Sequence, residues 1–559
     1  MTNNTTAELT PVEGIKQRSN YLRGTIVESL ADAATGALAE DDTQLSKFHG
    51  FYQQDDRDIR NERLRQKLEP SYSFMIRVRV PGGIATPAQW LALDELARAH
   101  GNSALRLTTR QAFQFHGVAK GNLKKTIRGI NESLLDTIAA CGDVNRNVMC
   151  SPLADKSAIH RVAYETATAI SAHLTPRTRA YHEIWLDGEK VEGTADVEPI
   201  YGATYLPRKF KIAVAIPPSN DVDIFSQDLG FIAIEKNGEV IGFNVTAGGG
   251  MGTTHGEPET YPRVADVIGF CTVEQAVEVA EHVVGLQRDY GDRSNRKHAR
   301  LKYTIDDHGL DWFREELFGR LGYELPPPRK FAFLSRGDQF GWSESRNDQS
   351  DLTLFIPEGR IKDTDKYKLL TGLREVARIH KGDFRLTANQ NLIISGIDPV
   401  TRPEVERLLE YHGINALQQV SPLRQQALAC VAFPSCGLAM AEAERYLPEL
   451  TEKIEALLGK HGLLDEAISL RMTGCANGCA RPYLAEIGLV GKAPGRYNLF
   501  LGGSDDGRRL NRLAHENVDE GRILEVLDGL FEQYVLGRRD NESFGDFSDR
   551  EYAPLAGAA

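Results

Sequence analysis

The sequence predicts an α+β protein built by internal duplication. Two observations predict it. Residues 74–118 (FMIRVRVPGGIATPAQWLALDELARAHGNSALRLTTRQAFQFHGV) and 352–397 (LTLFIPEGRIKDTDKYKLLTGLREVARIHKGDFRLTANQNLIISGI) each read as strand, glycine-containing turn, helix, strand. RLTTRQ (106–111) then falls against RLTANQ (385–390). A second echo follows each copy: GFIAIEKNGEVIGFNVTAGGGMG (230–252) and AEIGLVGKAPGRYNLFLGG (485–503) are both strand, turn, strand and glycine cluster. In this alignment LPRKFK (206–211) falls near TGCANGC (473–479).

Taken in order, the first 70 residues have no partner in the repeat. They contain the charged stretch YQQDDRDIRNERLRQ, read either as an arm wrapping the domain or as a docking segment. The first repeat copy follows, with apolar residues at helical spacing before its second strand. The two copies pack together as one α+β unit. ELPPPRKF (324–331) reads as a connection back to it.

The bulk numbers bound the function. The chain has 559 residues, 41% hydrophobic and 26% charged, enough for about three or four domains with large cores. A net charge of −12 argues against nucleic acid as the main partner. The opening MTNNTTAELTPVEG lacks a secretory pattern, and no apolar run nears the roughly 20 residues of a membrane span. With no export signal, seven cysteines point to reduced thiols or metal ligands and to the cytoplasm.

Four of those cysteines form two close pairs, Cys430-x5-Cys436 and Cys475-x3-Cys479. Four thiolates are what an iron–sulfur cubane needs, and Gly474, Ala476, Gly478 and Ala480 let backbone approach a bulky cluster. Zinc remains open: its pairs are spaced by two to four residues, which suits x3 better than x5. Cations also cluster despite the acidic balance: Arg77 and Arg79, Arg106 and Arg110, Arg146, Arg208, Lys209 and Lys211, then Arg296, Lys297, Arg300 and Lys302. Alternating residues share a strand face, so Arg77 with Arg79, and Lys209 with Lys211, are expected to point into one cavity. Solvated strand edges are the plainer reading. Apolar neighbours such as Ile76 and Phe210 favour partly buried cations that need an anionic ligand.

CVAFPSC with TGCANGC, the paired RLT segments, NRNV and LPRKFK together resemble the sulfite and nitrite reductase family. SNYLRGTI (19–26), FYQQDDRDIR (51–60) and GLAMAEAERYLP (437–448) look closest to its bacterial branch fed by a flavoprotein; the resemblance runs from about residue 12 to 548. It implies ferredoxin-like half-domains paired about a pseudo-two-fold, plus two sirohaem- and cluster-binding α/β domains. The divisions expected are 1–70, an arm; 71–141, the first half-domain; 142–344, the first sirohaem- and substrate-binding domain; 345–418, the second half-domain; and 419–559, the [4Fe–4S] domain.

The resemblance also implies roles. Cys430, Cys436, Cys475 and Cys479 ligate a [4Fe–4S] cluster, and Cys479 is also axial to the sirohaem iron. Arg77, Arg146, Lys209 and Lys211 surround the bound anion. Arg106, Arg110, Gln114, His116, Arg208, Arg300, Gln390 and Asn477 contact the macrocycle. Cys141, Cys150 and Cys271 match no ligand and read as small buried hydrophobes. The implied reaction is six-electron reduction of sulfite to sulfide, in sulfate assimilation and cysteine biosynthesis. The lysines are its expected proton donors.

No GxGxxG follows a strand; GGGMG (248–252) lacks the third glycine. Electrons must therefore come from another protein. The resemblance implies a flavoprotein (α) subunit that carries FAD and FMN and takes hydride from NADPH, in a hetero-oligomer. Residues 1–70 are its candidate docking region, and deletion of 1–50 is expected to spare dye-driven reduction. The alternatives are a ferredoxin-dependent sulfite or nitrite reductase and a zinc-stabilised binding protein.

Overall fold

Residues 8–177 and 198–552 are described by the computed structural model. The first seven residues of the arm, residues 178–197 of the 142–344 segment and the terminal 553–559 lie outside the described residues.

Four five-stranded sheets organise the chain, and they come as two pairs. The first pair holds the repeat. One sheet runs β1 (Phe51–Asp55), β2 (Tyr72–Val78), β5 (Phe113–Val118), β4 (Leu105–Leu107), β13 (Arg360–Ile361). Its counterpart runs β11 (Gly341–Glu344), β12 (Ser350–Leu354), β15 (Leu392–Ile397), β14 (Asp383–Leu386), β3 (Ile84–Ala85). Each copy therefore lends its short strand to the other: Arg360 pairs with Arg106, and Arg385 with Ile84. Two glycines make the crossing fit. Gly83 and Gly359 have φ of +77° and +71°, and a Cβ there would sit 2.6 Å from Leu386 O and 2.4 Å from Leu107 O. The side-chain amides repeat the exchange, with Gln111 donating to Leu386 O at 2.9 Å and Gln390 to Leu107 O at 3.4 Å.

Helix Pro87–His100 starts at a capping box in which Thr86 and Gln89 bond reciprocally, at 3.2 and 2.9 Å, with proline at the first helical position. It buries Trp90, Leu93 and Ala97. The Trp90 ring stacks on Phe384 of the second copy with centroids 4.5 Å apart. The expected union of the two copies is thus a single apolar core.

The second pair of sheets runs β10 (Asp266–Cys271), β9 (Glu239–Ala247), β8 (Leu229–Lys236), β7 (Ile212–Ala215), β6 (Met149–Cys150), and β16 (Leu428–Ala429), β17 (Leu470–Thr473), β18 (Ile487–Ala493), β19 (Arg496–Leu501), β20 (Arg512–Val518). β6–β7–β8 and β16–β17–β18 run parallel, and the remaining neighbours are antiparallel. The equivalence extends to side chains. Asp228 accepts from Lys211 N at 2.9 Å and Glu486 from Ser469 N at 2.7 Å. This register corrects the sequence alignment. LPRKFK precedes β7, so its counterpart is the stretch before β17 that ends at Ser469. TGCANGC follows β17, so its counterpart is the stretch after β7 that begins at Ile216. Short basic and cysteine motifs misled because both lie beside equivalent strands, at opposite ends.

The arm is integral to the fold. β1 pairs antiparallel with β2, and Phe48 and Phe51 are buried. Deleting residues 1–50 would remove Leu45 and Phe48 from the main core, so the expectation that such a chain keeps dye-driven activity is withdrawn. Helix Arg60–Arg65 buries nothing, and Ile59, Leu64 and Leu68 beside it are exposed. Among the described residues no helix is long and apolar enough to cross a membrane.

Candidate active site: four thiols facing a cation pocket

Parallel strands collect ligands at their carboxyl ends, and that is how the two cysteine pairs meet. Cys430 directly follows β16, and Cys475 stands two residues beyond β17, its parallel neighbour. The loops interlock closely. Gly474 donates its N–H to Cys430 Sγ at 3.3 Å, and a Cβ at Gly474 would meet Ala441 O at 2.6 Å. Asn477 Nδ2 lies 3.6 Å from Cys475 Sγ. The glycine cluster of the first half seats the second loop: Thr253 N–H donates to Ala476 O at 2.9 Å, and a Cβ on Gly478 would meet Met251 O at 2.9 Å.

The four thiols act on one another. Burial raises the Cys430, Cys436 and Cys475 thiols, the last to about 11, and the neighbouring Cys479 thiol raises each further. Mutual repulsion of this kind calls for a cationic body among the sulfurs. No three His, Cys, Asp or Glu side chains among the described residues are grouped closely enough to share one metal ion. The donor set therefore fits a polynuclear iron–sulfur body better than the single zinc left open by spacing.

Cys479 is the exposed member of the set, and cations stand opposite it. Arg77 and Lys209 both lie within electrostatic reach of its thiol. Arg77 donates to Ala140 O at 3.4 Å and to Cys141 Sγ at 3.0 Å. Arg146 donates to Gly142 O and Ala140 O, both at 3.0 Å. Gln114, with its amide oxygen turned toward Arg77, accepts at 3.2 and 2.5 Å. The Lys209 and Lys211 ammonium groups, and the Arg208 guanidinium, have no hydrogen-bond partner or ion pair among the described residues. Burial, then Arg208 and Arg300, lowers Lys209 to about 7; burial, then Arg110 and Lys209, pushes Lys211 well down. Arg208 falls to about 10, mainly by burial and then Arg296. Lys209 and Arg208 keep some accessible surface, but desolvation dominates because that surface is interior and ringed by other cations.

Several sequence-predicted residues reach the same region already bonded within the chain, Arg106 and Arg300 to carboxylates and Arg110 to neutral oxygens. Arg106 pairs with Glu444 at 2.9 Å and also donates to Ala429 O at 2.9 Å. Arg300 forks onto Asp228 at 2.9 and 2.8 Å. Arg110 donates to Asn147 O, Ile212 O and Gln227. Neither ring nitrogen of the buried His116 has a partner, and neither does Gln390 Oε1. Orphaned polar atoms at these depths are costly, and a carboxylate-bearing macrocycle would satisfy them.

Two expectations are corrected. Arg79 does not share the pocket. It lies past the end of β2, where alternation stops applying, and pairs with Asp136 at 2.6 Å and with Ser171 and Thr175. Cys141 is more than packing, because its sulfur accepts from Arg77 and also bonds the Tyr52 hydroxyl. Cys150 and Cys271 are buried as expected, and burial raises both thiols, the latter to about 12. Sequence reasoning also missed Glu444, which joins Arg106 and Arg360 (2.7 Å) beneath the cysteine loop and is held at about 2 against burial by those arginines. Its place in CGLAMAEAE, just beyond Cys436, was the available signal.

The model for the nitrite/sulfite reductase ferredoxin-like half domain matches residues 65–133 and 346–411, and that for the nitrite and sulphite reductase 4Fe-4S domain matches 165–325. The latter range covers the first α/β copy, whereas the four thiols lie in the second; duplication accounts for the difference. The chain is 60% identical over 539 residues, 96% of each chain, to the sulfite reductase [NADPH] hemoprotein beta-component of Myxococcus xanthus. It is 60% identical over 538 residues to that of Anoxybacillus flavithermus, covering 96% of this chain and 94% of the relative. The solved structure of Mycobacterium tuberculosis NirA superposes with a TM-score of 0.80 at 24% identity, covering 97% of both chains, and shows the same fold.

Proposed function

The chain belongs to the nitrite and sulfite reductase family, and from that premise we propose that it reduces sulfite to sulfide by six electrons at a sirohaem coupled to a [4Fe–4S] cluster. The reaction is that of NADPH-dependent assimilatory sulfite reductase, the activity named for its relatives. The observation that carries this reading is one juxtaposition: the Cys479 thiol is coupled on one side to three other thiols and on the other to Arg77 and Lys209.

Cys430, Cys436, Cys475 and Cys479 would hold the cluster, and Cys479, the exposed one, would face the sirohaem. When bound, the joined cofactors supply a store for several electrons beside the substrate. The chain's own residues do the rest. Arg77 and Arg146, aimed by the carbonyls of Ala140 and Gly142, receive the anion's oxygens through paired N–H bonds. Lys209 and Lys211, without carboxylate partners, offer N–H donors to the anion's oxygens, and negative charge arriving with the anion favours their protonated forms. Lys209, poised near 7, can release a proton, whereas the guanidinium groups stay charged. His116, Gln390, Arg208, Arg300, Arg110, Gln114, Arg106 and Asn477 frame the macrocycle; Arg106 acts there by tying its Glu444 partner to the cysteine loop.

Electrons come from a flavoprotein subunit bearing FAD and FMN, fed by NADPH, in a hetero-oligomer. The exposed Ile59, Leu64 and Leu68 support docking on the outer part of residues 1–70. The domain divisions 1–70, 71–141, 142–344, 345–418 and 419–559 serve as the working description, except that β1 (Phe51–Asp55) joins the first half-domain's sheet and β11 (Gly341–Glu344) the second's.

The test is spectroscopic and kinetic. Purified chain should show a Soret band with a red-shifted visible band and contain iron and labile sulfide. Sulfite should turn over faster than nitrite, and faster with the flavoprotein and NADPH than with reduced ferredoxin. A colourless, iron-free protein sinks the reading; preference for ferredoxin or nitrite reassigns the branch.

A further inference from the structure

We propose that Arg57, in the N-terminal arm, is a positioning residue for the cluster: it fixes the loop that carries Cys436. The inference rests on the reading of the four cysteines given above.

The loop needs an outside hold. Between β16 and helix Leu447–Lys460 the chain forms only turns. Its two ends are tied: Cys430 N–H donates to Met472 O at 3.2 Å, and Met440 N–H to Gly474 O at 2.7 Å. The middle bulges outward, with Gly437 exposed and Leu438 67% exposed. Arg57 grips this bulge from a position 379 residues away in sequence. Its backbone N–H donates to Pro434 O at 3.2 Å. Its Nη1 donates to Cys436 O at 3.1 Å and to Ala439 O. Its guanidinium lies 4.4 Å from the centre of the Phe433 ring. The arm is braced on both sides: Asp58 forks onto Arg445 at 2.5 and 3.2 Å, and Arg60 onto Asp55 at 2.6 Å twice.

The carbonyls that Arg57 holds flank the peptides whose N–H groups matter. Ala439 N–H donates to Cys436 O at 3.2 Å, the same carbonyl that Arg57 holds, so Arg57 sets the turn from which the Cys436 sulfur and the nearby N–H groups project. Hydrogen bonds to cluster sulfurs favour the more negative, reduced state and raise the reduction potential. Outer partners that orient ligands are worth roughly 10–100-fold in metal affinity or activity. One nitrogen, Nη1, holds both carbonyls while the planar guanidinium lies over the Phe433 ring, a combination that an ammonium does not reproduce.

The experiment compares the holoenzyme with Arg57→Ala and Arg57→Lys. Three quantities are read: the cluster midpoint potential by EPR-monitored titration, the rate of iron loss to a chelator, and KM for sulfite. For Arg57→Ala the potential falls, iron loss quickens by roughly tenfold, and KM stays within about twofold because the anion pocket is elsewhere. For Arg57→Lys, which keeps charge without the planar group over Phe433, iron loss stays fast. Wild-type potential and release in Arg57→Ala overturn the proposal, as does full rescue of both by lysine, which would make Arg57 a mere charge. If the alanine protein does not accumulate, Arg57→Gln is read in its place by the same outcomes. Iron-free wild-type protein would instead undo the cluster reading itself.

Discussion

The two α/β copies share one backbone plan and treat charge in opposite ways. In the first copy Arg208, Lys209 and Lys211, just before β7, have no acidic partner among the described residues for their charged ends. At the equivalent place before β17 the second copy has Ala467 and Ser469. Its own cations sit deeper and are matched: Arg471 and Arg481 converge on Asp223 at 2.7 and 2.5 Å, all three buried. Asp223 and Arg481 are themselves equivalent residues, each with positive φ (46° and 55°) before a short 3-10 helix. They pair across the pseudo-two-fold. Buried cations demand anions. One copy supplies them from the chain and becomes structure; the other leaves the demand to a ligand and becomes a site.

That contrast can be broken from either side. Cys479→Ser should do most, lowering haem and cluster content together; metal analysis and the absorption spectrum check it, and normal spectra would refute the shared ligand. Lys209→Met should keep both cofactors yet lose sulfite turnover by about 10²–10³-fold, the usual scale for removing one group that stabilises developing charge. Asp223→Asn should act on stability instead, costing about 3–5 kcal/mol by stranding Arg471 and Arg481, read as a lower denaturant midpoint. An unchanged midpoint would deny the contrast. The smallest effect is on pH. Lys209 is lowered to about 7, so its donor form is held below that value and lost as pH rises through it. Turnover limited by this proton should decline above about pH 7, and the decline should vanish in the residual activity of Lys209→Met.

Much of the site was legible because its chemistry depends on residue type at fixed spacing. The cysteine pairs and the RLT repeats could be read without knowing how loops pack. Arg79 was misjudged because alternation holds only within a strand, and β2 ends at Val78. LPRKFK was set against the wrong partner because two motifs beside equivalent strands look aligned until strand register is known. Cys141 was read as filler because its role depends on Arg77, which arrives from a different strand.

By itself the sequence determined the duplication, the two cysteine pairs and the surplus of cation near them, since periodicity and residue spacing are local properties. Only tertiary structure decided which cations keep a free charge, because neutralisation depends on residues distant in the chain: Glu444 on Arg106 and Asp228 on Arg300. It also turned the arm from a bystander into a clasp, through Arg57 and a loop that no local rule connects.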